Sequence, residues 1–192
     1  MVYDIEAVRA EWVGRSLGES RGRYPVEHEP IRRHCHMVGD TNPLFLDRDQ
    51  AAAGPYGAVV VPPTMLLMHF SSNGPWPKRE RTCEAVDSSG EPKRPWFTSG
   101  IPTPGDRGIN MDTSWEFIRP VLVGDELRAE SSIRDVFMKA IKLDPLAVWI
   151  VTENRIFNQR DEVVAVGRNT TLVHRSPNQV AADEAASAEA DR

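Results

Sequence analysis

The stretch ELRAESSIRDVF, residues 126–137, alternates: Leu127, Ala129, Ser131 and Ile133 fall on one side of an extended chain, and Arg128, Glu130, Ser132 and Arg134 on the other. A period of two with one apolar side is the pattern of a half-buried β-strand. Two further runs follow it, LAVWIVTENRIF at 146–157 and VVAVGRNTTLVH at 163–174, both rich in β-branched residues. NQRDE, at 158–162, has the composition of a hairpin turn between them. Three consecutive antiparallel strands are therefore expected, with TSWEFI at 113–118 as the strand before them.

Upstream the pattern changes. In VVVPPTMLLMHF, residues 59–70, nearly every position after the two prolines is apolar, which predicts a helix starting near Pro63 and buried on almost all sides. Val2, Ile5, Val8 and Trp12 have helical spacing, and Gly14 ends that helix. Arg23 to Glu27 reads as one short strand, and residues 30–38 as a helix with Pro30 in its first turn. GDTNP at 39–43 breaks that helix, and DRDQAAA at 47–53 adds another helical turn. Helical elements followed by a run of long strands give an α+β class, an antiparallel sheet wrapped around a central buried helix.

The domain is expected over residues 1–175, with a long inserted loop at about 73–109 that holds Trp76, Trp96 and Phe97 among many prolines and glycines. A long irregular segment containing aromatic residues reads as a folded loop covering a site. The end, SPNQVAADEAASAEADR at 176–192, lacks aromatic residues and is expected as a disordered acidic, alanine-rich tail.

Composition narrows the function. At 192 residues with 40% hydrophobic residues, the chain can bury one sizeable core. A net charge of -5 argues against a nucleic-acid partner. No apolar run approaches the roughly 18 residues that cross a bilayer, and charges interrupt the N-terminus, so the expectation is a cytoplasmic protein without a membrane partner. Cys35 and Cys83 lack metal-ligand spacing and read as free thiols, and no metal site is expected. The absence of a glycine-rich phosphate loop speaks against an ATP or NAD enzyme.

Four blocks, in order, resemble one family. GDTNPLFLDRDQA at 39–51 resembles the hydratase motif of MaoC-like proteins, and VVVPPTMLL at 59–67 resembles the segment where the buried hotdog helix begins. SWEFIRPVLVGDELRAES at 114–131 resembles the strand, Arg-Pro-Val turn and Gly-Asp pair of that family, and NQRDEVVAVGRNTTLVHR at 158–175 its last hairpin. The N-terminal type of MaoC dehydratase domain is the most similar. The resemblance implies a single hotdog domain and reversible hydration of a 2-enoyl-CoA thioester, with coenzyme A as part of the substrate and no separate cofactor. It also implies a double-hotdog unit in which an aspartate and a histidine share the water. Two titratable groups must converge there, because water needs a base and the α-carbon needs a proton source.

Matched position by position, Asp40 takes the aspartate's place and Asn42 and Pro43 match the following pair, but Phe45 stands where the family has its histidine. Phenylalanine moves no proton. The resemblance therefore implies the catalytically degenerate, substrate-binding half of a heteromeric enoyl-CoA hydratase acting on fatty-acyl or steroid-derived acyl-CoA. A second hotdog subunit would carry the Asp/His pair. The residues expected at the substrate are Asn42, Pro43, Phe45, Val61, Pro62, Pro63, Thr64, Met65 and Trp96, with backbone N–H groups at the start of the buried helix facing the thioester oxygen.

Plainer readings stand beside these. An aspartate after glycine also simply shapes a turn. His34 and His36 flank Cys35 but point about 200° apart on a helix, which suits packing better than metal binding. His69 reads as a core or interface histidine, or as a substitute base, and His174 as solvent-facing. Met65 to Met68 line an acyl tunnel or are core. Lys78 to Arg81 and Lys93 to Arg94 meet coenzyme A phosphates or are a solvated loop, and Trp76 and Trp96 close over an acyl chain or lie in a subunit interface. Two other functions remain: a self-sufficient MaoC-like hydratase or hotdog thioesterase, and a non-enzymatic acyl-binding scaffold.

Overall fold

The computed structural model describes residues 3–70 and 98–190. Five strands form one antiparallel sheet: β1 (Ser16–Arg21), β2 (Arg107–Phe117), β3 (Arg128–Met138), β4 (Val148–Phe157) and β5 (Val163–His174), in the spatial order β1-β3-β4-β5-β2. Strands β3, β4 and β5 are the three consecutive strands expected from the alternation at 126–137 and from the two β-rich runs after it. The β4–β5 turn closes through Asn158, whose side-chain oxygen accepts from the N–H groups of Arg160 (2.9 Å) and Glu162 (3.1 Å). A bulge between Ile133 and Asp135 shifts the phase of β3, so that Ala129, Ile133 and Val136 are its buried residues.

Two edges differ from expectation. The first strand is Ser16–Arg21, not residues 23–27, and every residue of it is exposed. An edge strand held by backbone pairing alone, with a bulge between Ser16 and Gly18, carries no alternation to read. Residues 23–27 contain Pro25, which cannot donate to a ladder; there Val26 donates its N–H to Asp125 O and accepts from the Gly124 N–H (both 2.9 Å). Strand β2 starts earlier than predicted and therefore shortens the expected 73–109 loop. It lies beside β5 at the opposite edge of the sheet, not beside β3. Gly105 leads into it so close to β5 that an added Cβ would sit 2.1 Å from the His174 carbonyl carbon.

Helices α1 (Ile5–Trp12), α2 (His28–Val38), α3 (Pro43–Leu46) and α4 (Arg48–Ala53) precede the main strands. Asp4 caps α1 by accepting from the N–H groups of Glu6 and Ala7. Its Val8 packs with Ile133, Val136, Val148, Ile150 and Val173 at one end of the sheet. At the other end Ile31 and Cys35 of α2 join Met65, Leu66, Val121, Leu127, Ile156 and Ala165. The predicted central helix is a 3-10 helix over Pro63–Phe70. It buries Met65 and Leu66 but exposes Pro63 and Thr64, so it is not apolar on all sides where its side chains are described. The 3-10 turn begins with Met65 N–H on Pro62 O (2.9 Å), a tight start imposed by two consecutive prolines.

The expected tail forms helix α5 (Pro177–Ala190). Ser176 and Gln179 make a reciprocal capping box around Pro177 at the first helical position. Arg175 ties this helix to the body: its guanidinium bonds Asp183 (2.6 Å) and the buried Asp144 (2.6 Å). Burial raises the Asp144 carboxyl, but the bonds from Arg175 and the Leu146 N–H outweigh it and hold the group below the ordinary carboxylate range. His174 is buried rather than solvent-facing, its Nδ1 2.8 Å from Arg175 O, because the same strand end is covered by this linkage.

Candidate functional site

The motif at 39–51 is a chain of caps. Gly39 ends α2 in the left-handed region (φ 74), as glycine readily does. Asp40 then accepts the Asn42 N–H (2.9 Å), and Asn42 in turn accepts the Leu44 N–H (3.0 Å), capping α3 with Pro43 at its first position. Asp47 caps α4 through the N–H groups of Asp49 and Gln50, and the Gln50 bonds hold its carboxyl below the ordinary range. Asp40, Asn42 and Asp47 each thus accept from a backbone amide. Asp40 also lies close enough to α2 for its charge to add to burial in raising the Cys35 thiol.

Phe45 is held from behind. Its carbonyl lies 3.0 Å from His28 Nε2, while His28 Nδ1 lies 3.0 Å from Arg48 Nε. Because Arg48 donates, Nδ1 must accept, and the network assigns the imidazole proton to Nε2. Both nitrogens of the imidazole that bonds the Phe45 carbonyl are therefore committed.

In front of Phe45 lies a cleft of about 430 Å³. One wall is Leu44 and Phe45; the second is Val60 to Pro63 with Leu66; the third is Phe117 to Val121, with Tyr56 and Asn42 at its margin. Backbone bonds fix the walls to each other, Val60 N–H to Leu44 O (3.0 Å) and Val61 N–H to Val121 O (2.8 Å). Gly167 lets the third wall approach, since an added Cβ would lie 2.5 Å from the Trp115 ring, which stacks with Phe117 at 6.3 Å.

Of the residues expected at the substrate, the structure brings Asn42, Phe45, Val61, Pro62 and Pro63 to this cleft. Pro43 and Asp40 do not line it, because they serve the turn. Thr64 is exposed with its hydroxyl 3.1 Å from His34 Nε2, and Met65 is in the core. Trp96, Trp76, Lys78 to Arg81 and Lys93 to Arg94 lie outside the described residues, as do Cys83 and the side chains of Leu67, Met68 and His69. Sequence reasoning missed Tyr56 and the wall from Phe117 to Val121. The Arg-Pro-Val turn within that wall was the available signal, and the β2–β5 pairing that carries it to Phe45 was not.

Chemically the cleft is an apolar slot whose described polar groups are a phenol, an amide and the Arg119 guanidinium. No imidazole and no carboxylate lines it among the described residues. Nor do three or more potential metal ligands cluster among them, and no helix among them is long and apolar enough to cross a membrane.

Residues 11–166 match the family model described as FAS1-like, dehydratase domain region. A protein named probable enoyl-CoA hydratase alpha subunit, from Thermomonospora curvata, is 29% identical over 171 residues. The match takes in 86% of this chain but 50% of that relative, so the chain spans about half of its length. Among solved structures, a chain of the ChsH1-ChsH2 complex from Mycobacterium tuberculosis superposes with a TM-score of 0.63 at 19% identity, covering 90% of this chain and 89% of that one. The MaoC-like dehydratase from Rhodospirillum rubrum superposes with a TM-score of 0.56 at 20% identity, covering 88% and 96%. The shared architecture is the hotdog fold.

Proposed function

Since the chain belongs to the FAS1-like dehydratase-region family of MaoC-like hotdog proteins, we propose that it is the substrate-binding, catalytically degenerate half of a heteromeric enoyl-CoA hydratase. Its cleft receives the acyl part of a fatty-acyl or steroid-derived acyl-CoA. A second hotdog subunit supplies the Asp/His pair that adds water across the 2-enoyl bond, or removes it from the 3-hydroxyacyl thioester. That reaction calls on no cofactor beyond the coenzyme A of the substrate. The complex is cytoplasmic on this reading.

The observation that carries the proposal is Phe45, a ring without a proton in the wall of a cleft where no described imidazole or carboxylate stands. Asp40 has the right place in the sequence, but its carboxylate is bonded to the Asn42 N–H and does not line the cleft. A missing acid–base partner costs about 10²- to 10⁴-fold in rate. The open edge at β2 supports the second subunit. Ile109, Met111, Phe117 and the adjoining Ile118 are each 48% exposed there, on a strand whose outer side no other described strand pairs.

The test is hydration of a trans-2-enoyl-CoA, followed as loss of enoyl absorbance, for the chain alone and coexpressed with a hotdog partner bearing the Asp/His pair. The expected result is little turnover alone, restored turnover in the complex, and little effect of Asp40→Ala on the complex. Full turnover by the chain alone, abolished by Asp40→Ala, overturns the proposal in favour of a self-sufficient hydratase. Release of free thiol would instead mark a thioesterase, and ligand stabilisation without turnover in any combination a scaffold.

A further inference from the structure

We propose that Arg119 is the anion anchor of the cleft, taking the phosphate of a phosphopantetheine arm while the acyl group occupies the apolar slot. The inference rests on the acyl-thioester reading above and adds to it a recognition residue for the carrier.

Arg119 carries the cleft's one charge among the described lining residues. Its backbone is pinned: the N–H donates to Val164 O (3.1 Å), and Pro120 behind it restricts its conformation. Its side chain is available. Several arginines of the sheet and its turns are paired, Arg128 with Glu130 and Asp161, Arg160 with Glu162, and Arg168 with Glu153. Arg119, like Arg107, Arg134 and Arg155, has no such partner among the described residues, and of these four it alone lines the cleft. Its charge adds slightly to the lowering of the Glu162 carboxyl, which is held chiefly by Asn158 Nδ2 and Arg160 Nε, both at 2.9 Å.

The other polar groups of the lining favour the same sign of ligand. Asn42 commits its side-chain oxygen to the Leu44 N–H, which leaves its NH₂ as a donor, and Tyr56 is half exposed with a hydroxyl to offer. A guanidinium, an amide NH₂ and a phenol around an apolar slot select an amphiphile with an anionic end. Arginine's planar fork fits a phosphate better than a point charge does.

The experiment measures binding to the full chain by calorimetry with octanoyl-pantetheine, octanoyl-phosphopantetheine, octanoyl-CoA and an octanoyl-loaded acyl carrier protein. Wild type, Arg119→Ala and Arg119→Lys are compared, with thermal unfolding as a check that each folds. Loss of one charge-assisted contact should weaken each phosphate-bearing ligand that binds by about tenfold or more in Arg119→Ala. Octanoyl-pantetheine should bind both proteins equally, and Arg119→Lys should recover part of the loss. The CoA and carrier-protein arms separate the two sources of that phosphate. Unchanged affinities in Arg119→Ala, an equal loss for octanoyl-pantetheine, or a loss confined to octanoyl-CoA overturns the assignment to the arm's phosphate. If wild type binds none of the four, the acyl-thioester reading falls with it. If it binds all four independently of Arg119, only this inference falls.

Discussion

The two ends of strand β5 show opposite uses of charge. At the His174 end, Asp144 and Arg175 are buried together: Nε and Nη2 of the guanidinium both donate to Asp144 Oδ1, and the Arg175 N–H donates to Oδ2. At the Val164 end, the described walls of the cleft hold one unpaired guanidinium and no carboxylate. An enzyme that activates water by itself would be expected to place converging titratable groups in its cleft. Here the buried Asp144–Arg175 pair fastens helix α5, and Asp40 and Asp47 of the motif accept from backbone amides at turns. The difference teaches that the described carboxylates with resolved bonds shape the scaffold, while the described walls of the cleft are apolar around a single guanidinium.

The sharpest way to break that comparison is at the buried pair. Arg175→Met leaves Asp144 in the interior without its counter-charge, which should cost about 3–5 kcal/mol, read as a lowered urea midpoint. A loss below about 1 kcal/mol would mean the pair is not the fastening described. The pH dependence has a definite sign. Because Asp144 titrates below its ordinary value in the folded protein, its contribution is complete above the unfolded value of about 4 and is lost as pH falls through the lower folded value. The stability difference between wild type and Asp144→Asn should therefore shrink on acidification below about pH 4.

A smaller effect is expected at the motif. Asp47→Ala removes the cap of α4, at a residue that does not line the cleft, and should cost about 1 kcal/mol, within the 0.5–2 kcal/mol range for such caps. Together with an unchanged hydration rate in the heteromeric complex, that value would sharpen the view of 39–47 as scaffold. A large loss of rate at unchanged stability would break it.

Local physics explains which features the sequence disclosed. Strand β3 buries one face, so alternation appeared in it; β4 and β5 were legible from β-branched composition, since β5 buries Val164 to Gly167 in succession; and Gly39 and Asn42–Pro43 announced the break after α2. By contrast β1 and β2 are edges with bulges, at Ser16/Gly18 and Asn110/Asp112, and mostly exposed residues, so burial imposed no period on them. The α5 helix was hidden differently. Its composition resembled a tail, but the Ser176–Pro177–Asn178–Gln179 start was a readable capping box, and its anchor, Asp144, lies 31 residues from Arg175. For the site, Phe45 and the proline segment were legible because the motif is local. Tyr56 and Phe117 to Val121 were not, because only tertiary pairing brings them to Phe45.

The smallest expected effect is also the most discriminating. Phe45→His restores an imidazole at the motif position, and if sequence position alone made the site, hydration by the isolated chain should rise by the 10²- to 10⁴-fold typical of a general acid–base group. The geometry argues for less than about tenfold, because acid–base catalysis requires both groups within hydrogen-bond reach of one water. Asp40 is engaged with the Asn42 N–H, and His28, the neighbouring imidazole, is bonded to Phe45 O and Arg48. A new histidine would face an apolar cleft with no carboxylate among its described walls to orient it. The measurement is enoyl-CoA hydration by purified Phe45→His alone, with Asp40→Ala/Phe45→His as control. A rise of a hundredfold or more that vanishes in the double variant would show that Asp40 turns into the cleft when given a mate, and the scaffold role assigned to it would have to be withdrawn.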